Sequence, residues 1–306
     1  MRISNIREGD ANTKFFHRRA NGRRRKNHIL RLKHNNGWIT QHEQKEAIIH
    51  NHFTSTLGRG ATRLHDFNWN ALNFEEPDLH SLGIPFTEEE VAHAINKMPG
   101  DKALGPDGFT MLFFKKCWEI IKGDVMRVIN AFGGLHSANF HWLNSSNIDL
   151  LPKKDGAEEI SDFRPISLIH SIAKIVTKML ALRLGPFMDV LVSKAQSAFI
   201  KEISIHNNFL YVKNLATRLH KSKTPCLMFK LDIRKAFDSM RWDYIIDILH
   251  RRGFPPRFRD WITVIFASSS SRALLNGVVG PPIVHGRGLR QGNLLSPLLF
   301  DIGIDP

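Results

Sequence analysis

Cys226-Leu227-Met228-Phe229-Lys230-Leu231-Asp232-Ile233 is a mostly apolar run of strand length, and it constrains the fold more than any other stretch of the chain. Alternation marks a half-buried strand, whereas a near-continuous apolar run predicts a strand buried on both faces. Asp232, near the carboxyl end of that run, then bears a desolvation cost unless it is hydrogen-bonded or holds a cation. Taken alone it is a metal-ligand candidate, with helix capping and ion pairing as the commoner fates of partly buried aspartates.

Around this run the punctuation is that of a mixed α and β chain without internal repeats. Asn35-Asn36-Gly37 reads as a tight turn. Thr87-Glu88-Glu89-Glu90 reads as a capping box, Thr87 taking the Glu90 amide while Glu90 reaches back, ahead of Val91 and Ile95 at helical spacing. Trp118, Ile121, Val125, Val128, Ile129 and Phe132 form one helical stripe that Gly133-Gly134 closes. Ile148-Asp149-Leu150-Leu151 reads as a strand entering the turn Pro152-Lys153-Lys154-Asp155-Gly156, with a hairpin partner to follow. A helix with Ile172, Ile175, Val176, Met179 and Leu180 on one face comes next, ended or kinked at Pro186. Asp238 precedes the Trp242, Ile245, Ile246 and Leu249 stripe, so it is expected to N-cap that helix. Phe258, Trp261, Ile262 and Ile265 mark another helix, then Arg272 to Leu275, Asn276-Gly277 and Ile283-Val284 predict a short hairpin. Ser296-Pro297 supplies an N-cap and a first-turn proline for a last helix.

With 42% hydrophobic residues in 306, the chain can bury a sizeable core, which excludes a wholly disordered or collagen-like polypeptide. Cys117 and Cys226 are the sole cysteines, too few and too far apart for a disulfide scaffold or an all-cysteine zinc site. The amino terminus has no apolar run of the signal-peptide kind, and no window approaches the roughly 18 apolar residues of a membrane span. Walker A, dinucleotide, His-Glu-x-x-His and nucleophile-elbow patterns are all missing, which removes those enzyme classes. The net charge is +14 and is unevenly placed, residues 1–36 holding eleven Lys and Arg against two acidic residues. Arg18, Arg19, Arg23, Arg24, Arg25 and Lys26 form a cluster of the kind that binds phosphate backbones by counterion release. A solvated arm and a nuclear-import signal are the other readings of that cluster. Further on, Gly286-Arg287-Gly288-Leu289-Arg290-Gln291-Gly292 places glycines where backbone must approach something closely. Lys153, Lys154 and Arg164 flank the predicted hairpin and suit a polyphosphate, Arg164 bidentately and the lysines as point charges.

Together these pieces resemble the reverse transcriptase of non-LTR (LINE-type) retrotransposons, most closely those of plant genomes. Gly9 to His17 looks like the connector that precedes this polymerase, and Gly105-Pro106-Asp107-Gly108-Phe109 like its extra N-terminal fingers motif. Leu150-Leu151-Pro152-Lys153-Lys154 and Phe163-Arg164-Pro165-Ile166-Ser167 are similar to the two fingers strands. Phe229 to Ser239 is similar to the first catalytic palm motif, and Gly288 to Gly292, continuing through Ser296-Pro297-Leu298-Leu299-Phe300, to the motif that supports nucleotide and template.

The resemblance implies an α+β right-hand polymerase: a basic connector and helix over 1–86, fingers and the start of the palm over 87–225, and a partial palm over 226–306. It further implies that Asp232 is catalytic and binds Mg²⁺, that Lys153, Arg164, Ile233, Phe237, Gln291 and Gly292 bind nucleotide, and that Phe237 excludes a ribose 2′-hydroxyl. The partners implied are an RNA template, a DNA primer and a dNTP, with no membrane, and residence in the nucleus with the cytoplasm as alternative. The family completes its metal site with a pair of adjacent aspartates in a later hairpin, and no Asp-Asp pair occurs in these 306 residues. Asn293-Leu294 stands where the family usually has Asp-Pro, Leu104 where it has Pro, and Glu202-Ile203 where it has Gly-Arg. The expectation is therefore a reverse transcriptase domain that does not polymerise as this chain alone, with RNA or RNA–DNA hybrid binding without chemistry, or a functionless product, as the alternatives.

Overall fold

The computed structural model describes residues 13–35, 37–58, 68, 69, 77–136, 138–193, 196, 205–229, 231–233 and 235–305. The helices longer than one turn among the described residues are α1 (Thr13–Asn27), α2 (His42–Leu57), α3 (Glu88–Lys97), α4 (Met111–Lys116), α5 (Trp118–Gly133), α6 (Ser171–Leu184), α7 (Ile205–Lys221), α8 (Trp242–Arg251), α9 (Pro256–Ala267) and α10 (Ser296–Ile304). Strands β1 (Leu32–His34) and β2 (Gly37–Ile39) form a separate hairpin, while β3 (Ser145–Pro152), β4 (Phe163–Ile169), β5 (Ser270–Leu275) and β6 (Val278–Val284) form one sheet in the order β4-β3-β5-β6. The mixed α+β class expected from the sequence is what forms.

Period-2 burial builds the sheet. Ser146, Ile148 and Leu150 alternate inward along β3, which pairs antiparallel with β4 and parallel with β5. The β5–β6 turn has Asn276 and Gly277 both at positive φ, 55° and 92°, as a two-residue hairpin requires. Asn276 does a second job, accepting from the Ile29 N–H at 2.8 Å and donating to the Ile29 carbonyl at 3.1 Å. One face of the sheet is closed by the N-terminal region, where Ile29, Leu32, Ile49 and Phe53 pack on Ile148, Leu150, Ala273 and Ile283. The larger core lies among α3, α5, α6, α8, α9 and α10, with Phe132, Phe258 and Trp261 at its centre.

Several local signals worked as read. Thr87 Oγ1 accepts the Glu90 N–H at 3.2 Å, α5 ends at Gly133 with Gly134 as its cap, and the 172–180 stripe lies in α6, which passes into a tight turn at Gly185–Phe187. Glu90, however, does not reach back. Its carboxylate grips Arg183 of α6 bidentately, 2.6 Å on both arms, while the same guanidinium donates to the Leu82, Ile84 and Pro85 carbonyls. The 105–109 motif serves α6 from outside: Asp107 accepts the Ser171 N–H at 2.6 Å and so caps the helix.

Three further expectations fail. The described residues of 226–233 form no strand: Leu227, Phe229 and Leu231 are 87%, 81% and 87% exposed, and Asp232 is exposed with them. A strand needs a neighbour to take its N–H and C=O groups, and no described strand lies alongside this run. Asp238 does not cap α8, whose N-cap is Arg241; Asp238 sits in its own helical turn, Ala236–Ser239. Ser296 begins α10 instead of capping it, and the Leu295 N–H is taken by Asn293 Oδ1 at 2.9 Å.

Candidate nucleotide site

The glycine loop 286–292, which carries Gln291 and Gly292, is fixed from three sides, and one of them brings Phe237 to it. From α2, the Leu57 carbonyl accepts the Gly286 and Arg287 amides at 2.7 and 3.2 Å, and the Arg287 guanidinium reaches the Ser55 and Thr56 carbonyls at 2.7 and 2.8 Å. A cation on the last carbonyls of a helix satisfies groups that have no partner within the helix. From the 236–239 turn, the Phe237 carbonyl accepts the Leu289 amide at 2.8 Å and the Met240 carbonyl accepts the Gly288 amide at 2.7 Å. From β4, the Ser167 N–H donates to the Gln291 carbonyl at 3.3 Å. Two glycines are required here. Gly288 has φ 86°, and a Cβ on it would lie 3.0 Å from the Asp238 carbonyl; Gly292 has φ 98°, and a Cβ would lie 3.2 Å from the Ser167 carbonyl.

Phe237 is held flat against Phe300 of α10, centroids 4.5 Å apart and planes 10° from parallel. Asp238 beside it is half-buried, and that burial raises its carboxyl pKa, with the charges of Lys235 and then Lys153 pulling it back. The Lys153 charge is thus felt at Asp238, in the turn whose carbonyls hold the loop. Lys235, in the left-handed region at φ 54°, extends its ammonium to Thr56 Oγ1 at 3.2 Å. At the tip of the hairpin Lys153 donates to the Ser161 carbonyl at 2.7 Å, and Lys154 pairs with Asp162 at 2.8 Å. The Lys154 ammonium, then the Glu158 amide, hold the Asp162 carboxyl down at about 2.

The expected site residues divide into two sets. Phe237, Gln291 and Gly292 come together around one loop, with Lys153 acting on it from the hairpin. Arg164 stands exposed opposite Leu151, on the strand face away from Pro165 and Ser167. Asp232 and Ile233 are exposed in irregular chain ahead of the Ala236 turn, so the buried-carboxylate argument for Asp232 does not hold here. Among the described residues no group of three or more His, Cys, Asp or Glu side chains is placed to hold a metal ion. One exposed carboxylate does not make a Mg²⁺ site.

The basic cluster lies on α1, where Arg18, Arg24, Arg25 and Lys26 are exposed; the side chains of Arg19 and Arg23, like Gly9 to Asn12 and Glu202-Ile203, are outside the described residues. Lys26 bridges to Asp155 at 3.1 Å, bringing the end of α1 to the β3–β4 turn. Next to it Arg31 lies 3.8 Å over the half-exposed Trp38 ring. Sequence reasoning missed the α2 contribution and the fate of Arg290. That guanidinium turns into the core and donates to Asn144 Oδ1 at 2.8 Å, the Asn144 carbonyl at 2.6 Å, Ser269 Oγ at 2.5 Å and the Ser270 carbonyl at 3.3 Å. Nothing in the local sequence distinguishes it from Arg287, which stays at the surface earlier in the same loop.

A family model for reverse transcriptase (RNA-dependent DNA polymerase) matches residues 151–306. The chain is 31% identical over 228 residues to the "Transposon TX1 uncharacterized 149 kDa protein" of Xenopus laevis, which covers 74% of this chain and 17% of that relative. It is 29% identical over 202 residues to the "Retrovirus-related Pol polyprotein from type-2 retrotransposable element R2DM" of Drosophila melanogaster, covering 66% of this chain and 18% of that protein. Against the "RNA-directed DNA polymerase from mobile element jockey" of Drosophila melanogaster the identity is 23% over 222 residues, 71% of this chain and 24% of that one. The chain therefore spans a quarter or less of each of these relatives. No helix among the described residues is long and apolar enough to cross a membrane.

Proposed function

The chain belongs to the reverse transcriptase (RNA-dependent DNA polymerase) family and is homologous to the polymerases of LINE-type retrotransposons, and we propose that it supplies the nucleotide-holding part of an enzyme that copies an RNA template onto a DNA primer. The observation that carries this reading is the joining of the Phe237 turn, the 286–292 loop and β4 by backbone hydrogen bonds, with the Lys153 charge acting on the same place. In this reading β3 and β4 are fingers strands, the 226–306 segment is palm, and α1 is a basic arm that lies along nucleic acid.

Each residue then has a physical task. Lys153 offers a point charge to the triphosphate, and Arg164 is the exposed fork that closes on it bidentately. Gly292 allows the backbone to approach the nucleotide, and Gln291 donates and accepts beside it. Phe237, braced by Phe300, lies beneath the sugar and leaves no room for a 2′-hydroxyl. Arg18, Arg24, Arg25 and Lys26 of α1 neutralise phosphates without reading bases. The family works with a divalent metal, for which this chain contributes Asp232 alone, so polymerisation is assigned to the whole protein and binding to these residues.

The test is equilibrium binding of fluorescent dTTP and of an RNA–DNA hybrid to the full chain. Lys153→Ala and Gln291→Ala are expected to weaken dTTP about tenfold, the worth of one charge-assisted hydrogen bond. Neutralising Arg18, Arg24, Arg25 and Lys26 is expected to leave dTTP unchanged while lowering the salt slope of hybrid binding by nearly one for each phosphate that is no longer neutralised. Undetectable dTTP binding, or binding indifferent to Lys153, would sink the nucleotide reading.

A further inference from the structure

Beneath the glycine loop lies a small cavity whose walls include Ile148, Ser167, Asp238, His285, Arg290 and Gln291, with a volume of about 20 Å³. Two of those side chains, Arg290 and His285, are nine-tenths buried or more, and each keeps a polar atom, Nε and Nε2, with no hydrogen-bond partner among the described residues.

The hydrogen-bond chain around them fixes which protons are where. Arg290 Nη2 donates to Ser269 Oγ, and that hydroxyl's own proton has a single acceptor within reach among the described residues, His285 Nδ1 at 3.0 Å. A neutral imidazole that accepts at Nδ1 carries its proton on Nε2. The ring is neutral: burial, then the Arg290 charge, hold its pKa at about 3. Arg290 Nε always bears hydrogen. Two buried N–H donors, on two residues that line the same cavity, therefore lack an acceptor among the described residues, and an unmet buried donor is costly.

Charge decides what kind of acceptor. Arg290 is fully enclosed, its four hydrogen bonds all go to neutral oxygens, and no carboxylate pairs with it among the described residues. Asp238, the acidic side chain in the cavity wall, makes no ion pair with Arg290 among the described residues, and burial raises its pKa against the opposing charges of Lys235 and then Lys153. A buried cation without a counter-charge favours an anion over a neutral molecule. The space suits a single small group, one water or one halide-sized ion, and no larger anion.

We propose that Arg290 and His285 form a binding site for a small monovalent anion of halide size, which ties the floor of the 286–292 loop to β5. This goes beyond the nucleotide reading and does not depend on it. The experiment is thermal melting of the full chain without nucleotide in sodium chloride, sodium bromide and sodium gluconate at one ionic strength, about 0.15 M, for the wild type and His285→Phe. Phenylalanine keeps the ring volume and deletes the donor.

The expected result is a Tm about 2–4 °C higher in either halide than in gluconate for the wild type, with that increment lost in His285→Phe whatever its baseline. Equal melting in all three salts overturns the proposal and leaves water as the acceptor; an undiminished increment in His285→Phe overturns it by placing the ion elsewhere. Should His285→Phe fail to fold, anomalous scattering from bromide-grown crystals decides, a peak between Arg290 Nε and His285 Nε2 supporting the site and its absence refuting it.

Discussion

Asp301 of α10 is 0% exposed, and neither carboxylate oxygen has a hydrogen-bond partner among the described residues. Burial, with Asp305 adding to it, raises its pKa from the ordinary 3.8 to about 7. The folded protein thus holds a proton that the unfolded chain gives up near 3.8. Below that pH the carboxyl is neutral in both states and costs nothing. As the pH climbs from 3.8 through 7 the unfolded state gains ionisation free energy that the folded state cannot match, and above 7 the loss levels off. Roughly three pKa units at 1.36 kcal/mol each give about 4 kcal/mol of lost stability. Asp301→Asn keeps the shape and removes the titration. Urea unfolding of both proteins from pH 4 to pH 8 should show the variant gaining on the wild type by about 4 kcal/mol across that interval, the change being complete just above pH 7. Differences between the two cancel the titration of every other group. A stability difference flat with pH, or an Asp301→Asn protein weaker than wild type at pH 8, would refute the argument by showing that the carboxylate has a partner when ionised.

Two further outcomes test the frame that holds the site. Glu90→Gln leaves Arg183 enclosed without its charge partner and should cost about 3 kcal/mol in urea unfolding, while Glu90→Gln combined with Arg183→Met should cost less than the two single changes added; strict additivity would show that the pair is not coupled. Asn276→Ala gives up both hydrogen bonds to Ile29 and puts alanine, which disfavours the left-handed region, at φ 55°, for about 2–3 kcal/mol, and Asn276→Gly should recover the backbone part alone; a glycine variant no better than alanine would remove strain from the account.

What the sequence made legible was local. Thr87 ahead of Glu90, the stripe from Trp118 to Phe132, and Asn276-Gly277 between two short apolar runs each specify geometry within four residues, where spacing alone carries the information. The 148–151 strand was legible for the same reason, since its turn and its partner follow directly. The run 226–233 looks equally strand-like, yet a strand is a property of a pair, and composition says nothing of whether a neighbour lies alongside. Asp232 shared that fate: its candidacy rested on burial that the exposed chain does not provide. Arg290 failed in the opposite sense. A basic residue between glycines reads as solvent-facing, and only the long-range approach of Asn144 and Ser269, 146 and 21 residues away, makes its burial sustainable. Asn293 shows a milder case, its side-chain oxygen accepting the Leu295 amide two residues on, a contact too local to be read from the resemblance.

The end of α2 explains how the site is assembled from parts so distant in sequence. Its last turn meets two loops at once: Thr56 Oγ1 takes the Lys235 ammonium that leads into the Phe237 turn, and the Ser55, Thr56 and Leu57 carbonyls take the side chain and amides that open the glycine loop. His52, one turn back, lies 3.5 Å from the same ammonium, and burial followed by that charge lowers its pKa, so the ring stays neutral where a proton would repel Lys235. The other end of the bracket is hydrophobic, Ile49 and Phe53 seated on the sheet with Ile148 and Leu150. A helix so anchored transmits the position of the sheet to both loops without touching a nucleotide. The N-terminal region is therefore part of the loop's geometry, and its two halves differ: α1 carries exposed basic side chains, while α2 sets the spacing between the Phe237 turn and the loop that carries Gln291.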